Sequence, residues 1–185
     1  MGRVKVQAEK LERVSNIALL GFMGCGKTTV GRKVAERLGW RFFDTDALIE
    51  ERMALSIPQI FSCFGEEYFR TLETEVLREL AKERHIVLAT GGGLPIQEEN
   101  REILRRSFFV VFLRVSFPVL LKRIQCSTNR PLLKKHKTPE ALETLYRLRI
   151  PYYEQAHVII DADFLTVEEV AEEIIRCAQD RGVFT

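Results

Sequence analysis

Cysteine is scarce and scattered: Cys25, Cys63, Cys126 and Cys177 form no CxxC pair. A chain of 185 residues can bury a sizeable core and needs no covalent staples, so reduced thiols are expected. Histidine is scarcer still. His85, His136 and His157 show none of the spacings that bring two imidazoles to one metal, so no zinc site is expected. No apolar run approaches the roughly 18 residues needed to cross a bilayer. The polar start MGRVKVQAEKLERVSN lacks the continuous apolar stretch of a secretion signal. Neither charge sign dominates: 28 basic and 26 acidic residues leave a net +2, too little to imply a nucleic-acid partner. There are no repeats or low-complexity tracts. With 46% hydrophobic and 29% charged residues, what remains is an ordinary globular domain. The expectation is a cytoplasmic monomer, with no membrane and no nucleic acid as partner.

Apolar runs of strand length alternate with stretches of helical period, the pattern of a parallel sheet covered on both faces. Five strands are expected, at Asn16–Leu20, Trp40–Phe43, Ile86–Thr90, Phe108–Leu113 and His157–Ile160. Helices are expected from Thr28 to Leu38 and from Ser56 to a stop near Gly65, followed by another carrying Phe69, Leu72, Val76 and Leu80. Further helices start at Ser116, at Thr138 with an end near Arg149 before Pro151, and at Thr166. Ser56 with Gln59, and Thr166 with Glu169, have capping-box spacing. The fold class is therefore α/β, a three-layer domain over 16–185 behind a polar N-terminal extension of 1–15. The segment STNRPLLKKHKTP breaks all periodicity with two prolines and reads as a mobile loop, about 126–138.

Gly21 to Thr28, GFMGCGKT, matches G-x-x-x-x-G-K-[ST] between a strand and a helix, the context in which the pattern is a phosphate-binding P-loop. The glycines let backbone N–H groups converge on phosphate, and the helix N-terminus adds a favourable dipole. Gly24, Cys25, Gly26 and Thr29 belong to this ATP cradle. Lys27 reaches the β- and γ-phosphates, and Thr28 offers its hydroxyl to Mg²⁺. The cradle recognises phosphate and not purpose, so kinase, GTPase, motor and transporter ATPase all stay open at this point.

Asp44 and Asp46 lie two apart at a strand end, where an extended backbone would point both carboxylates to one side, towards the P-loop. One could hold the Mg²⁺ hydration shell while the other binds and orients an acceptor hydroxyl; a turn or helix cap is the plainer alternative. Arg70 and Glu73 share a helix face, and alone they read as a surface ion pair. Gly91, Gly92 and Gly93 follow a buried strand, either as a flexible turn or as a place where the backbone comes close to a ligand.

Taken in order, GFMGCGKTT, DTD, FGEEYFRTLE, ATGGG, NRPLL and RIPYYEQA resemble the shikimate kinase family from about Ile17 to Ile160. The resemblance implies a P-loop kinase fold with a mobile lid, ATP and shikimate as substrates, and Mg²⁺ as cofactor. It implies transfer of the γ-phosphoryl group to the shikimate 3-hydroxyl, with Asp46 orienting that hydroxyl and Lys27 and Arg130 as further catalytic residues. It places the substrate carboxylate on Arg70, braced by Glu73, and on Arg149, with further contacts at Gly91, Gly92 and Gly93. Arg130 falls in the lid over ATP, Arg123 against the adenine, and Thr28 and Asp44 beside Mg²⁺. Two departures stand out: Cys25 occupies a position where serine is frequent, and ADFLT lacks a basic residue that some relatives present to adenine.

Overall fold

All four residues of the strand leading into the P-loop motif are buried, with two parallel neighbours as the reason. This is seen in a computed structural model that describes residues 4–6 (backbone only), 14–125 and 138–183. In chain order the strands are β1 (Val4–Val6), β2 (Ile17–Leu20), β3 (Arg41–Asp44), β4 (Ile86–Ala89), β5 (Phe109–Arg114) and β6 (Val158–Asp161). The helices are α1 (Lys27–Leu38), α2 (Thr45–Met53), α3 (Ile57–Leu80), α4 (Glu98–Ser107), α5 (Phe117–Gln125), α6 (Pro139–Tyr153) and α7 (Val167–Asp180), with a 3₁₀ turn at Leu94–Ile96.

The sheet runs β1-β6-β5-β2-β4-β3. β2 through β6 are mutually parallel, as expected from the alternation of elements. One more strand than expected is present: β1, within the polar start, pairs antiparallel with the β6 edge. Three residues of such a strand carry too little pattern to stand out in sequence. Because β2 lies between β4 and β5, the chain leaves it first towards one edge and later returns past it towards the other. That makes the carboxyl end of β2 a topological switch point, where open α/β sheets bind ligands.

α1 begins at Lys27, behind a Gly26 in the left-handed region (φ 99°), and stops at Gly39 (φ 67°), whose N–H returns to Glu36. Gly65 (φ 85°, ψ 171°) breaks α3 into two arms, so the expected stop there appears as a kink in a longer helix. α7 opens on the expected box: the Glu169 N–H donates to Thr166 Oγ1 at 3.2 Å, and the Thr166 N–H to Glu169 Oε2 at 2.7 Å.

Three helical features depart from the expectation. α2 stands where a strand end is expected at Asp44 and Asp46; Ala47, Leu48 and Ile49 fall consecutively and only Thr45 and Ile49 are buried, which leaves no stripe to recognise. α4 is also absent from the expectation: in EENREILRRS only the adjacent Ile103 and Leu104 are apolar, too few to show a period. α6 does not end near Arg149 but runs through Pro151 to Tyr153. The lost hydrogen bond at Pro151 is offset by the burial of the Tyr153 ring, which that last turn delivers to the core.

Candidate active site

The P-loop motif forms the turn between β2 and α1. Gly21 needs to be glycine twice over: its φ is 148°, and a Cβ there would lie 2.7 Å from Cys25 Sγ and 2.9 Å from the Leu113 carbonyl oxygen. Cys25 is buried, so what it can offer a phosphate is its backbone N–H, and that donates to the Phe22 carbonyl at 3.2 Å. Lys27 Nζ donates to the carbonyls of Gly21 at 2.8 Å and Phe22 at 3.2 Å, which holds the ammonium inside the loop. Thr29 is exposed beside it on the first turn of α1.

Asp44 ends β3 and caps α2. Its Oδ1 accepts from the N–H of Asp46 at 3.1 Å, and its Oδ2 accepts from the Thr28 hydroxyl at 2.8 Å. Thr28 and Asp44 are thus an oxygen-only pair of the hard kind that suits Mg²⁺ with several waters. Asp46 is not the strand-end residue of the alternation argument. It sits in the first turn of α2, so the helix, and not an extended backbone, turns it towards the loop. Burial, helped by Asp44 and Glu50 and opposed by Lys27 and Arg70, pushes the Asp46 carboxyl up to about 6.

Gly91, Gly92 and Gly93 leave the carboxyl end of β4, and none of them has a positive φ. Their lack of side chains is required by contact and not by backbone conformation. A Cβ at Gly91 would lie 2.5 Å from Asp46 Oδ1 and 2.7 Å from Glu73 Oε1, and one at Gly93 would strike the Arg70 guanidinium. A Cβ at Gly92 would lie 3.3 Å from Arg149 Nη1 and 3.6 Å from the Tyr153 hydroxyl. Thr45 Oγ1 accepts from the Gly91 N–H at 2.7 Å, and Tyr153 donates to the Gly92 carbonyl at 2.6 Å, so α2 and α6 are tied to the same three residues. The glycines are the hub on which Asp46, Arg70 and Arg149 meet.

Arg70 sits on the second arm of α3, where Nη1 donates to Glu73 Oε2 at 2.6 Å and Nη2 to Glu66 Oε1 at 2.9 Å. It is not the surface pair that helical spacing alone suggested: its side chain is 16% exposed and that of Glu73 only 1%. Arg149 is buried on α6, over the Phe22 ring, and its Nε has no partner. Glu73 is the residue that sequence reasoning undervalued, as a mere brace. Its Oε1 is buried without a hydrogen-bond donor, and desolvation outweighs Arg70 to push its carboxyl up to about 7. The signal that could have found it was its place on the stripe side of α3, one residue beyond Leu72.

Arg123 lies exposed on α5, apart from the glycine hub. Arg130 and the expected lid, except Thr138, lie outside the described residues. Among the described residues no helix is long and apolar enough to cross a membrane.

The arrangement offers a phosphate cradle ending in an ammonium, an oxygen pair suited to a divalent cation, a raised carboxyl, and two guanidiniums for an anionic acceptor. Comparison with known proteins points the same way. The family model described as shikimate kinase matches residues 23–179. A shikimate kinase from Geobacter sulfurreducens is 48% identical over 86% of this chain and 88% of its own length. One from Thermodesulfovibrio yellowstonii is 43% identical over 88% of this chain and 94% of its own. Among solved structures, shikimate kinase from Acinetobacter baumannii in complex with shikimate superposes with a TM-score of 0.86 at 41% identity, covering 94% of this chain and 97% of the other.

Proposed function

Since the chain belongs to the shikimate kinase family, we propose that its catalytic work is divided between the P-loop and the glycine hub, with the shikimate 3-hydroxyl brought in line with the γ-phosphoryl group of ATP. The observation that carries this division is the convergence of Asp46, Arg70 and Arg149 on Gly91–Gly93, one strand away from Lys27.

In this reading Arg70 and Arg149 hold the shikimate carboxylate, and Gly91, Gly92 and Gly93 let the ring approach the backbone. Asp46 accepts the 3-hydroxyl, orients its oxygen towards phosphorus and receives its proton as the bond forms. Gly24, Cys25 and Gly26 present backbone N–H groups to the phosphates, with Thr28 and Thr29 on the first turn of α1 beside them. Lys27 stabilises charge on the transferring group, Arg130 joins it from the lid, and Arg123 packs on the adenine. Thr28 and Asp44 would hold Mg²⁺, which when bound with ATP neutralises charge on the phosphate oxygens. The reading extends to a cytoplasmic monomer without a nucleic-acid partner, for which sedimentation at the mass of one chain is the expected result.

The test of acceptor choice is ADP release measured with shikimate, gluconate and several nucleoside monophosphates beside an acceptor-free blank. Stimulation by shikimate alone is expected. Equal stimulation by gluconate would instead mark the chain as a related P-loop kinase acting on another small metabolite.

A further inference from the structure

Glu73 raises a problem of charge and hydrogen bonding that a bracing role does not solve. Its Oε2 is bound to Arg70, but Oε1 is buried with no donor. A buried carboxylate oxygen without a donor is costly, and native structures rarely leave one. The Gly91 turn brings it near another acceptor: Glu73 Oε1 and Asp46 Oδ1 both crowd the point where a Gly91 Cβ would stand, at 2.7 and 2.5 Å. Two carboxylate oxygens brought together in a buried place repel one another unless one of them carries a proton, which makes it a donor to the other.

The charge count leads to the same place. Facing the acceptor pocket are Arg70 and Arg149 from α3 and α6, and Asp46 and Glu73 from α2 and α3. Glu66 reaches Arg70 from its exposed side, Glu50 and Asp44 add negative charge near Asp46, Lys27 faces Asp46 from the P-loop, and the neutral Tyr153 closes the side next to α6. With both buried carboxyls ionised, the two guanidiniums are already matched and an incoming carboxylate finds no surplus positive charge. With Glu73 neutral, the pocket has one positive charge to spare for a monoanion.

We infer that Glu73 is a proton-carrying positioning residue: binding of the acceptor carboxylate draws one proton from solvent onto Glu73 Oε1, which then donates a hydrogen bond to Asp46. This rests on the reading that Arg70 and Arg149 hold a substrate carboxylate, and it adds a role for a residue that touches neither phosphate nor the reacting hydroxyl. The upward push on Glu73 by burial, to about 7, makes the uptake accessible just above neutral pH. The linkage has a definite sign: a group that gains a proton on binding makes affinity fall as pH rises.

The decisive measurement is calorimetric titration of the whole enzyme with shikimate at pH 8, in two buffers of different ionisation enthalpy. An uptake of about half a proton or more per shikimate bound is expected, with shikimate affinity weakening by up to tenfold per pH unit above about 7. Glu73→Gln should bind shikimate without proton uptake and should lose the alkaline limb of the kcat/KM profile. Wild-type binding with no buffer dependence would overturn the inference even if the Gln variant failed to fold, and so would uptake that persists in Glu73→Gln. Absence of any shikimate binding would instead remove the acceptor reading beneath it.

Discussion

The two halves of the site are built in opposite ways. The phosphate cradle is made by eight consecutive residues, Gly21 to Thr28, whose working groups are mostly backbone N–H and carbonyl groups with one ammonium and one hydroxyl. The acceptor pocket is made by side chains from α2, α3 and α6, gathered around three glycines that contribute chiefly by having no side chain. A backbone cradle tolerates variation in what its residues carry, so Cys25 can stand in it without consequence for the phosphates. The pocket tolerates little, because its groups come from three helices and meet only through the packing of those helices on the glycine turn.

The comparison can be broken first at the point where the halves meet. Asp46→Asn should cut kcat by about 10³-fold while nucleotide affinity stays within a factor of a few, since one hydroxyl-facing group typically contributes 10²–10⁴-fold. Separate nucleotide titration and turnover measurements check this, and retained turnover would take Asp46 out of the chemistry. Lys27→Ala should lower kcat by about 10²–10³-fold and also weaken ATP, leaving shikimate affinity unchanged. A loss confined to shikimate affinity would mean that the halves are not separable.

On the acceptor side, Arg70→Lys should raise the KM for shikimate by tens of fold at nearly constant KM for ATP, because a lysine cannot reproduce the fork that meets a carboxylate. A milder probe is pH. Asp46 must be ionised to accept the hydroxyl proton, so kcat/KM for shikimate should fall as pH drops through about 6, while nucleotide binding over the same range stays nearly level.

The smallest expected effect is on stability. The folded-state value of Asp46, about 6, lies above the ordinary aspartate value, so its favourable contribution is full in acid and is lost as pH rises through about 6. Asp46→Asn should therefore be more stable than the parent by about 1–3 kcal/mol at pH 8, with the gap closing near pH 4, as measured by denaturant unfolding. A variant that is dead but sturdier would show the pocket holding a charge at the expense of the fold.

Much of the architecture could be read from residues alone. The buried runs at Ile17–Leu20, Ile86–Ala89 and Phe109–Arg114 stood out because strands covered on both faces need continuous apolar sequence. α2 and α4 did not: in α2 the apolar residues are not gathered on one face, and in α4 only the adjacent Ile103 and Leu104 are apolar, too few to show a helical period. The same limit applied to the site. Asp46 was named for the right side of the loop by a wrong geometry, and Arg70 with Glu73 looked like surface until the glycine turn was seen lying over them.

What the sequence determined by itself was the cradle, since a P-loop is local: its glycines, lysine and threonine are bonded in a row, and short-range backbone sterics shape them. The tertiary structure alone decided which carboxyl would be buried, which arginines would meet at the glycine turn, and that Glu73 Oε1 would be left without a donor. Those are properties of desolvation and of through-space charge, and both depend on chain segments up to about a hundred residues apart being packed against the end of one strand.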